Sequence, residues 1–333
     1  MLQTTNLEIK FAQDAVRQAA LLVRHIQSEL VEEAITKPDF SPVTVADFAA
    51  QAVVARQLAN TFPDLALVAE EDTQELRKPE SAAALESITH FVSAGLRINA
   101  TAEMVFQWID HNRADPGQVS QFWTLDPIDG TKGFLRGDQY AIALALVQDG
   151  HVQVAALACP NLVDAYRPDM EGSGSLVIAA RGQGSWVTDL ASPGHYHPLK
   201  VSVRSQPSEA RILRSFESGH TNVSQIDRFS QALGAQAEPV LMDSQAKYAV
   251  LAAGKGDLLL RLLSASQPDY REKIWDQAAG SLVLEEAGGR ISDLDGMPLD
   301  FTTGRSLRRN RGILATNGFL HAAALEALRK IGA

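Results

Sequence analysis

Cysteine is nearly absent: the 333 residues contain one, Cys159. No disulfide can close within the chain, which suits a reducing cytosol. Cys159 lies in the apolar run "AALACPN" and reads as a small core residue rather than a reactive thiol. Clustered basic residues are also missing. The net charge is −10 and the pI is near 5.3, which argues against a nucleic-acid polymer as partner. A small anionic substrate stays compatible, because one local site can oppose the global sign, more easily with a metal ion in it. No apolar stretch approaches the roughly 18–20 residues of a membrane span. The first residues, "MLQTTNLEIKFAQDAVRQAALLVRHIQ", lack a basic segment followed by a purely apolar one, so they read as an amphipathic helix and not a signal peptide. A soluble, cytoplasmic protein is expected. The eight histidines show no ligand spacing beyond His195/His197, which read as loop residues. No zinc motif is present. No G-x-G-x-x-G follows an early strand, so a dinucleotide-binding oxidoreductase finds no support. Repeats and low-complexity tracts are absent.

What is present is apolar patterning over a long chain. With 45% hydrophobic residues, the sequence can bury a substantial core in roughly two domains. Residues 7–30 carry Phe11, Ala15, Ala19, Leu22, Ile26 and Leu30 at helical spacing. A loop over 37–42 precedes a second helix, from Thr44 to just before Pro63. "LALVAEED" predicts a short strand ending in acids. Two more helices are predicted within residues 76–113, and "ADPG" is a turn. From Gln121 the pattern turns to strands. "YAIALALVQDGHVQVAALACP" is a hairpin around Asp149-Gly150, and "SLVIAARGQGSWV" is a second hairpin turned at 182–184. From about residue 201, strands and helices alternate in the manner of an α/β layer. The helix "IWDQAAGSLVLEEAGG" closes in glycines. The division expected is 1–200, helices plus an antiparallel sheet, and 201–333, a smaller α/β unit.

Three separate apolar stretches end in acid: "LVAEED" (Glu70, Glu71, Asp72), "WTLDPIDGT" (Asp126, Asp129) and "IWDQAAG" (Asp276). Asp47 follows "SPVTVA". Singly, each fits ordinary strand-end or helix-start polarity, where the helix dipole favours aspartate. Together they read as oxygen ligands for hard divalent cations such as Mg2+. Pro127 fixes a dihedral between Asp126 and Asp129. That geometry can aim both carboxylates and the Ile128 carbonyl at one place. Gly130 lets backbone approach a ligand closely, and Thr131 adds a hydroxyl. Two metals about 3.5–4 Å apart can bind the attacking and leaving oxygens of a phosphoryl transfer.

"DPIDGTKGF" and "WDQAAG…EEAGG", in that order after "AEED", resemble the signatures of the lithium-sensitive, Mg-dependent phosphatases that include inositol monophosphatase. The resemblance runs from about residue 40 to 317. The longer segments "WTLDPIDGTKGFLRGDQYAIALALV" and "MDSQAKYAVLAAGKGDLLLRL" resemble the 3′(2′),5′-bisphosphate nucleotidases of that group. The resemblance implies a layered αβαβα sugar-phosphatase fold, of α/β (α+β) class. It implies removal of the 3′-phosphate of adenosine 3′,5′-bisphosphate (PAP) to give AMP, with PAPS or inositol 1,4-bisphosphate as further substrates. It also implies lithium inhibition and Mg2+ as cofactor, about two or three ions to a site.

By that resemblance, Glu70, Asp126, the carbonyl of Ile128, Asp129 and Asp276 hold the metals. Glu70 is preferred to Glu71 as the first of the family's Glu-Glu pair. Asp47 and Thr131 position and deprotonate the attacking water. Gly130 and Thr131 amides cradle phosphate. His220, Ser244, Lys247 and Arg261 contact the nucleotide and its second phosphate. Ser244 with Lys247 one turn later combines amide donors, a hydroxyl and a cation. Lys132 fits either a phosphate contact or a solvated turn, and Arg261 either a ligand or a strand-end cation. Arg305 belongs to a loop where the base could sit. The helical insertion 74–117 is placed to act as a lid. The partner expected is the nucleotide, with no nucleic-acid polymer and no membrane, and the chain a monomer or homodimer. Competing readings are an inositol phosphate phosphatase, a fructose 1,6-bisphosphatase, and a metal- and nucleotide-binding sensor without catalysis.

Overall fold

A computed structural model describes residues 2–34, 42–111, 114–215, 223–264 and 267–333. His220 and most of the predicted 37–42 loop lie outside the described residues. The helices are α1 (Leu7–Ala34), α2 (Pro42–Thr61), α3 (Ala82–Leu96), α4 (Ala102–Ile109), α5 (Thr131–Arg136), α6 (Val223–Leu233), α7 (Ala246–Ala252), α8 (Ala278–Glu286) and α9 (His321–Ile331). The strands are β1 (Ala66–Ala69), β2 (Gln121–Asp129), β3 (Ala141–Gln148), β4 (His151–Cys159), β5 (Leu162–Val163), β6 (Arg167–Pro168), β7 (Ser175–Ala180), β8 (Gly184–Asp189), β9 (His197–Pro198), β10 (Ile212–Arg214), β11 (Val240–Leu241), β12 (Leu258–Arg261), β13 (Arg290–Ser292) and β14 (Ile313–Thr316).

Seven strands form one sheet in the order β1-β2-β3-β4-β7-β8-β9, and five form another in the order β11-β10-β12-β14-β13. Side-chain alternation explains how they stack. In β3, Ile142, Leu144 and Leu146 point into a core shared with α1 and α2. Ala141, Ala143, Ala145 and Val147 point the other way, into a core shared with α7 and α8. The small side chains on that face let the helices lie close. In β12, Leu259 joins the α7/α8 core, while Leu258 and Leu260 pack with α6 and α9. The result is five layers, αβαβα. A strand buried on both faces reads as a continuous apolar run, which is why "YAIALALV" shows no polar alternation.

The helix starting at residue 7 buries the predicted Phe11, Ala15, Ala19, Leu22 and Ile26. α2 is apolar around most of its circumference and is accordingly buried from Val45 to Leu58 on several sides. Ile88, Phe91, Val92, Val105, Phe106 and Ile109, from α3 and α4, join the same core.

Three details depart from the sequence reading. β1 pairs with β2 in parallel, its last residue Ala69 opposite Leu125, within an otherwise antiparallel sheet. The second sheet is mixed: β10 runs parallel to β11 and β12, and β12-β14-β13 is antiparallel. A short helix, α5, follows the first acidic motif directly, and α8 starts at Ala278, leaving Trp275 and Asp276 in the loop before it. Cys159 is fully buried, and burial, then Asp129, pushes its thiol up to about 12, as suits a core residue. Among the described residues no helix is long and apolar enough to cross a membrane.

Candidate active site

Parallel pairing of β1 and β2 brings the end of β1 beside the middle of β2. Glu70 leaves β1 just beyond Ala69, beside Asp126, which follows Leu125 in β2. The β2-β3 register then shifts between Asp126 and Asp129. Pro127 has no N–H to give the ladder, so the shift falls where a ladder bond is unavailable anyway. Asp126 pairs with Ala143 and Asp129 with Ala141, three residues against two.

Next comes Gly130, with φ +96°. A β-carbon there would lie 2.8 Å from Ser244 Cβ, so glycine is what lets the two halves of the site touch. Ser244 itself has φ +63°, an uncommon value for a residue with a side chain.

One cavity of about 380 Å³ is lined by Glu70, Asp126, Ile128, Asp129, Gly130 and Thr131 on one side. Ser244, Lys247, Arg261 and Asp276 line the other, with Ser215, Gln245 and Tyr270. Of the residues singled out from sequence, the fold brings these together. Asp47 is not on the wall; it is buried on α2, within electrostatic reach of Glu71, Glu70 and Asp126. Glu71 is also off the wall, held through its backbone by the Gln51 amide at 2.9 and 3.1 Å. Lys132 is exposed at the cavity edge. None of the described residues in 74–117 lines the cavity, because α3 and α4 are committed to the α1/α2 core. Arg305 does not line it either. Its Nη2 donates to the Ala69 carbonyl at 2.6 Å and its guanidinium lies 4.6 Å over Trp275, so it braces the strand end that carries Glu70.

The acidic wall is strongly self-repelling. Asp126 is 2% exposed and its Oδ1 has no hydrogen-bond partner. Burial, followed by Asp129, Glu70, Asp276 and Asp47, pushes its carboxyl well above the usual range. Burial does the same to Asp276, with Asp129 and Glu272 adding to it and Arg261 opposing. Asp47 is raised by burial, then by Glu71 and Glu70. Glu70 is raised by burial and Asp129, against Lys273 and Arg305. Among the described residues no three acidic, histidine or cysteine side chains close into a ready-made cluster; they share a wall and a field. An orphaned buried carboxylate oxygen in a field of four other acids fits a multivalent cation. All the donors are hard oxygens, which suits Mg2+ better than a thiophilic metal.

The opposite wall is cationic. Lys247 is 6% exposed, and its Nζ donates to Ser215 Oγ at 3.0 Å. Burial, then Arg261, lowers its amine to about 8, while Asp129 and Asp243 work to raise it. Arg261 pairs with Glu272, Nη2 to Oε2 at 3.2 Å, and stays protonated. Sequence reasoning did not single out Glu272, Gln245 or Asp243. Asp243 pairs with Arg136 at the end of α5, joining the two halves next to Ser244. The available signal was position: Gln245 and Asp243 lie inside the "MDSQAKY" segment, and Arg136 inside "TKGFLRGD".

The model of the inositol monophosphatase family matches residues 5–333. A 3′(2′),5′-bisphosphate nucleotidase from Oryza sativa is 41% identical, covering 97% of this chain and 93% of its own. One from Schizosaccharomyces pombe is 38% identical, over 96% and 94%. Among solved structures, the SuhB protein of Bartonella henselae matches with a TM-score of 0.62 at 19% identity, over 96% and 97%. CysQ from Bacteroides thetaiotaomicron, described as a bacterial member of the inositol monophosphatase family, matches with 0.62 at 16%, over 93% and 97%. At such identities the structures speak for the fold. The chain belongs to the inositol monophosphatase family, a family of metal-dependent phosphatases.

Proposed function

We propose that this member of the inositol monophosphatase family is a Mg2+-dependent 3′(2′),5′-bisphosphate nucleotidase that hydrolyses the 3′-phosphate of PAP to give AMP and phosphate. The carrying observation is the two-signed cavity. Glu70, Asp126, Asp129 and Asp276 line one space together with Lys247 and Arg261. A ligand with two phosphates matches that arrangement: one goes to the cation-loaded acidic side, the other to Lys247, Arg261 and Ser244. The relatives named 3′(2′),5′-bisphosphate nucleotidase, at 36–41% identity over nearly the whole chain, support the same substrate.

In this reading Glu70, Asp126, the Ile128 carbonyl, Asp129 and Asp276 hold Mg2+, about two or three ions. Bound by these residues, Mg2+ would supply acidification of water and neutralisation of charge on the phosphoryl oxygens and the leaving oxygen. Asp47, acting through Thr131, takes the proton from the attacking water. The water oxygen adds to phosphorus as the P–O3′ bond breaks; the leaving ribose oxygen takes a proton from solvent water, and Asp47 returns the proton it took to solvent. Gly130 and Thr131 amides hold phosphate oxygens. Lys247, Arg261 and Ser244 fix the second phosphate, and His220 is assigned to the same nucleotide by resemblance.

The test is phosphate release from PAP, inositol 1-phosphate, inositol 1,4-bisphosphate and fructose 1,6-bisphosphate, with Mg2+ alone and with added Li+. Preference for PAP, lost with lithium, is expected. Preference for an inositol or fructose phosphate would keep the acidic wall and remove the nucleotide assignment. No turnover of any of the four would leave a binding protein.

A further inference from the structure

Gln245 is 2% exposed and bonds to three segments at once. Its backbone N–H donates to Asp129 Oδ2 at 2.7 Å, at the end of β2. Its side-chain Nε2 donates to the Trp275 carbonyl at 3.0 Å, one residue before Asp276. Its Oε1 accepts from Gly280 N–H at 3.2 Å, in the first turn of α8. That N–H is one of the donors a helix start leaves without an intrahelical partner, and the residue at the start of α8 caps nothing with its side chain. Both ends of one amide are therefore used, and they grip the chain on either side of Asp276.

We infer that Gln245 is a positioning residue for the metal site: it sets the distance between the Asp129 and Asp276 carboxylates and ties that distance to Ser244 and Lys247, its neighbours in sequence. The fold has other means of holding α7 against α8. Tyr248 Oη donates to Gln277 Oε1, and Ala249, Leu251, Ala278 and Leu282 share one core. The Gln245 side chain thus adds little to the packing that these contacts do not supply, and its distinctive contribution is the placement of Asp276.

The inference rests on the metal-dependent reading of the site, so its test reads metal binding apart from turnover. In the full chain, Gln245→Met keeps side-chain length and removes both amide bonds. Melting temperature is followed against Mg2+ concentration, with rates on PAP measured separately. The metal-free variant is expected to stay folded, with the Mg2+ midpoint of its thermal shift raised by about tenfold or more. At saturating Mg2+, kcat should fall while KM for PAP stays near that of the wild type. A variant that melts lower without metal but keeps the wild-type Mg2+ midpoint overturns the inference, because that is the signature of a merely structural residue. If Gln245→Met does not fold, Gln245→Asn, which keeps both polar ends on a shorter stem, is judged by the same midpoint. A wild type that shifts with Mg2+ yet leaves PAP intact overturns the proposed function, and the midpoint comparison still decides Gln245. A wild type with no Mg2+ shift overturns both.

Discussion

Across one cavity, charges of the two signs are treated differently. On the wall made by β1 and β2, Asp126 has an oxygen with no hydrogen bond, and burial and neighbouring acids raise its carboxyl. On the wall made by α7 and β12, Arg261 is paired with Glu272 and Lys247 bonds Ser215. Removing one partner of a buried pair is costly, whereas a buried unpaired charge is already costly. The acidic wall is therefore under electrostatic strain that a bound cation relieves, and the cationic wall is held in shape before any anion arrives. The first wall is built for tight binding of positive charge, the second for choosing among anions.

The sharpest way to break that contrast is Asp126→Asn. The rate of phosphate release should fall by at least about a hundredfold, since even residues that only support metal ligands cost 10–100-fold when lost. The metal-free melting temperature should rise rather than fall, because the change removes a carboxylate repelled by its neighbours. A lower metal-free melting temperature would show that Asp126 is structurally satisfied and that the strained-wall account is wrong.

Lys247→Met tests the other wall. Losing a charged hydrogen-bond donor to a phosphate should raise KM for PAP by about tenfold or more. Turnover of inositol 1-phosphate, which has no second phosphate, should change far less. Equal losses on both substrates would place Lys247 with the reacting phosphate instead of the second one.

Much of this organisation was legible because it is local. The Asp149-Gly150 hairpin appears where both residues adopt positive φ, 50° and 75°, as a tight turn between right-twisted strands demands. The two-sided burial of β3 follows from its unbroken apolar run, and the acids at strand ends were visible one by one. What escaped depends on pairing between distant segments. Nothing in the periodicity of 66–69 and 121–129 says that the strands run parallel, yet that pairing places Glu70 beside Asp126. Arg305 is singled out because "LDF" with "GR" resembles a nucleotide-site loop; its packing onto the Ala69 carbonyl and the Trp275 ring is a tertiary contact that no local pattern shows. Gln245 carries no chemical signature, since an amide's importance lies in what it bridges. α5 is too short, and too rich in glycine at its ends, for periodicity to reveal it.

The smallest effect expected lies behind the cationic wall. His321, at the start of α9, is 1% exposed. Its Nε2 is 3.0 Å from Ser292 Oγ, whose own proton goes to the Asp293 carbonyl, so Nε2 must be the donor. Its Nδ1 is 3.1 Å from Thr316 Oγ1, whose hydroxyl can donate to it when Nε2 carries the ring proton. Both ring nitrogens are therefore satisfied in the neutral form. Burial, then Arg290, lowers its pKa from 6.5 to about 4. The unfolded chain accordingly takes up the proton first. The stability this histidine supplies is complete above about pH 6.5 and is lost as pH falls toward 4. His321→Gln should lower the melting temperature at pH 7.5, and the gap from wild type should narrow by pH 4.5. No acid on the wall formed by β1 and β2 enters this balance, so the narrowing should persist in an Asp126→Asn background. A gap that is the same at both pH values would mean that the ring is not held neutral, and the second sheet would then offer no acid-sensitive counterpart to the carboxylates across the cavity.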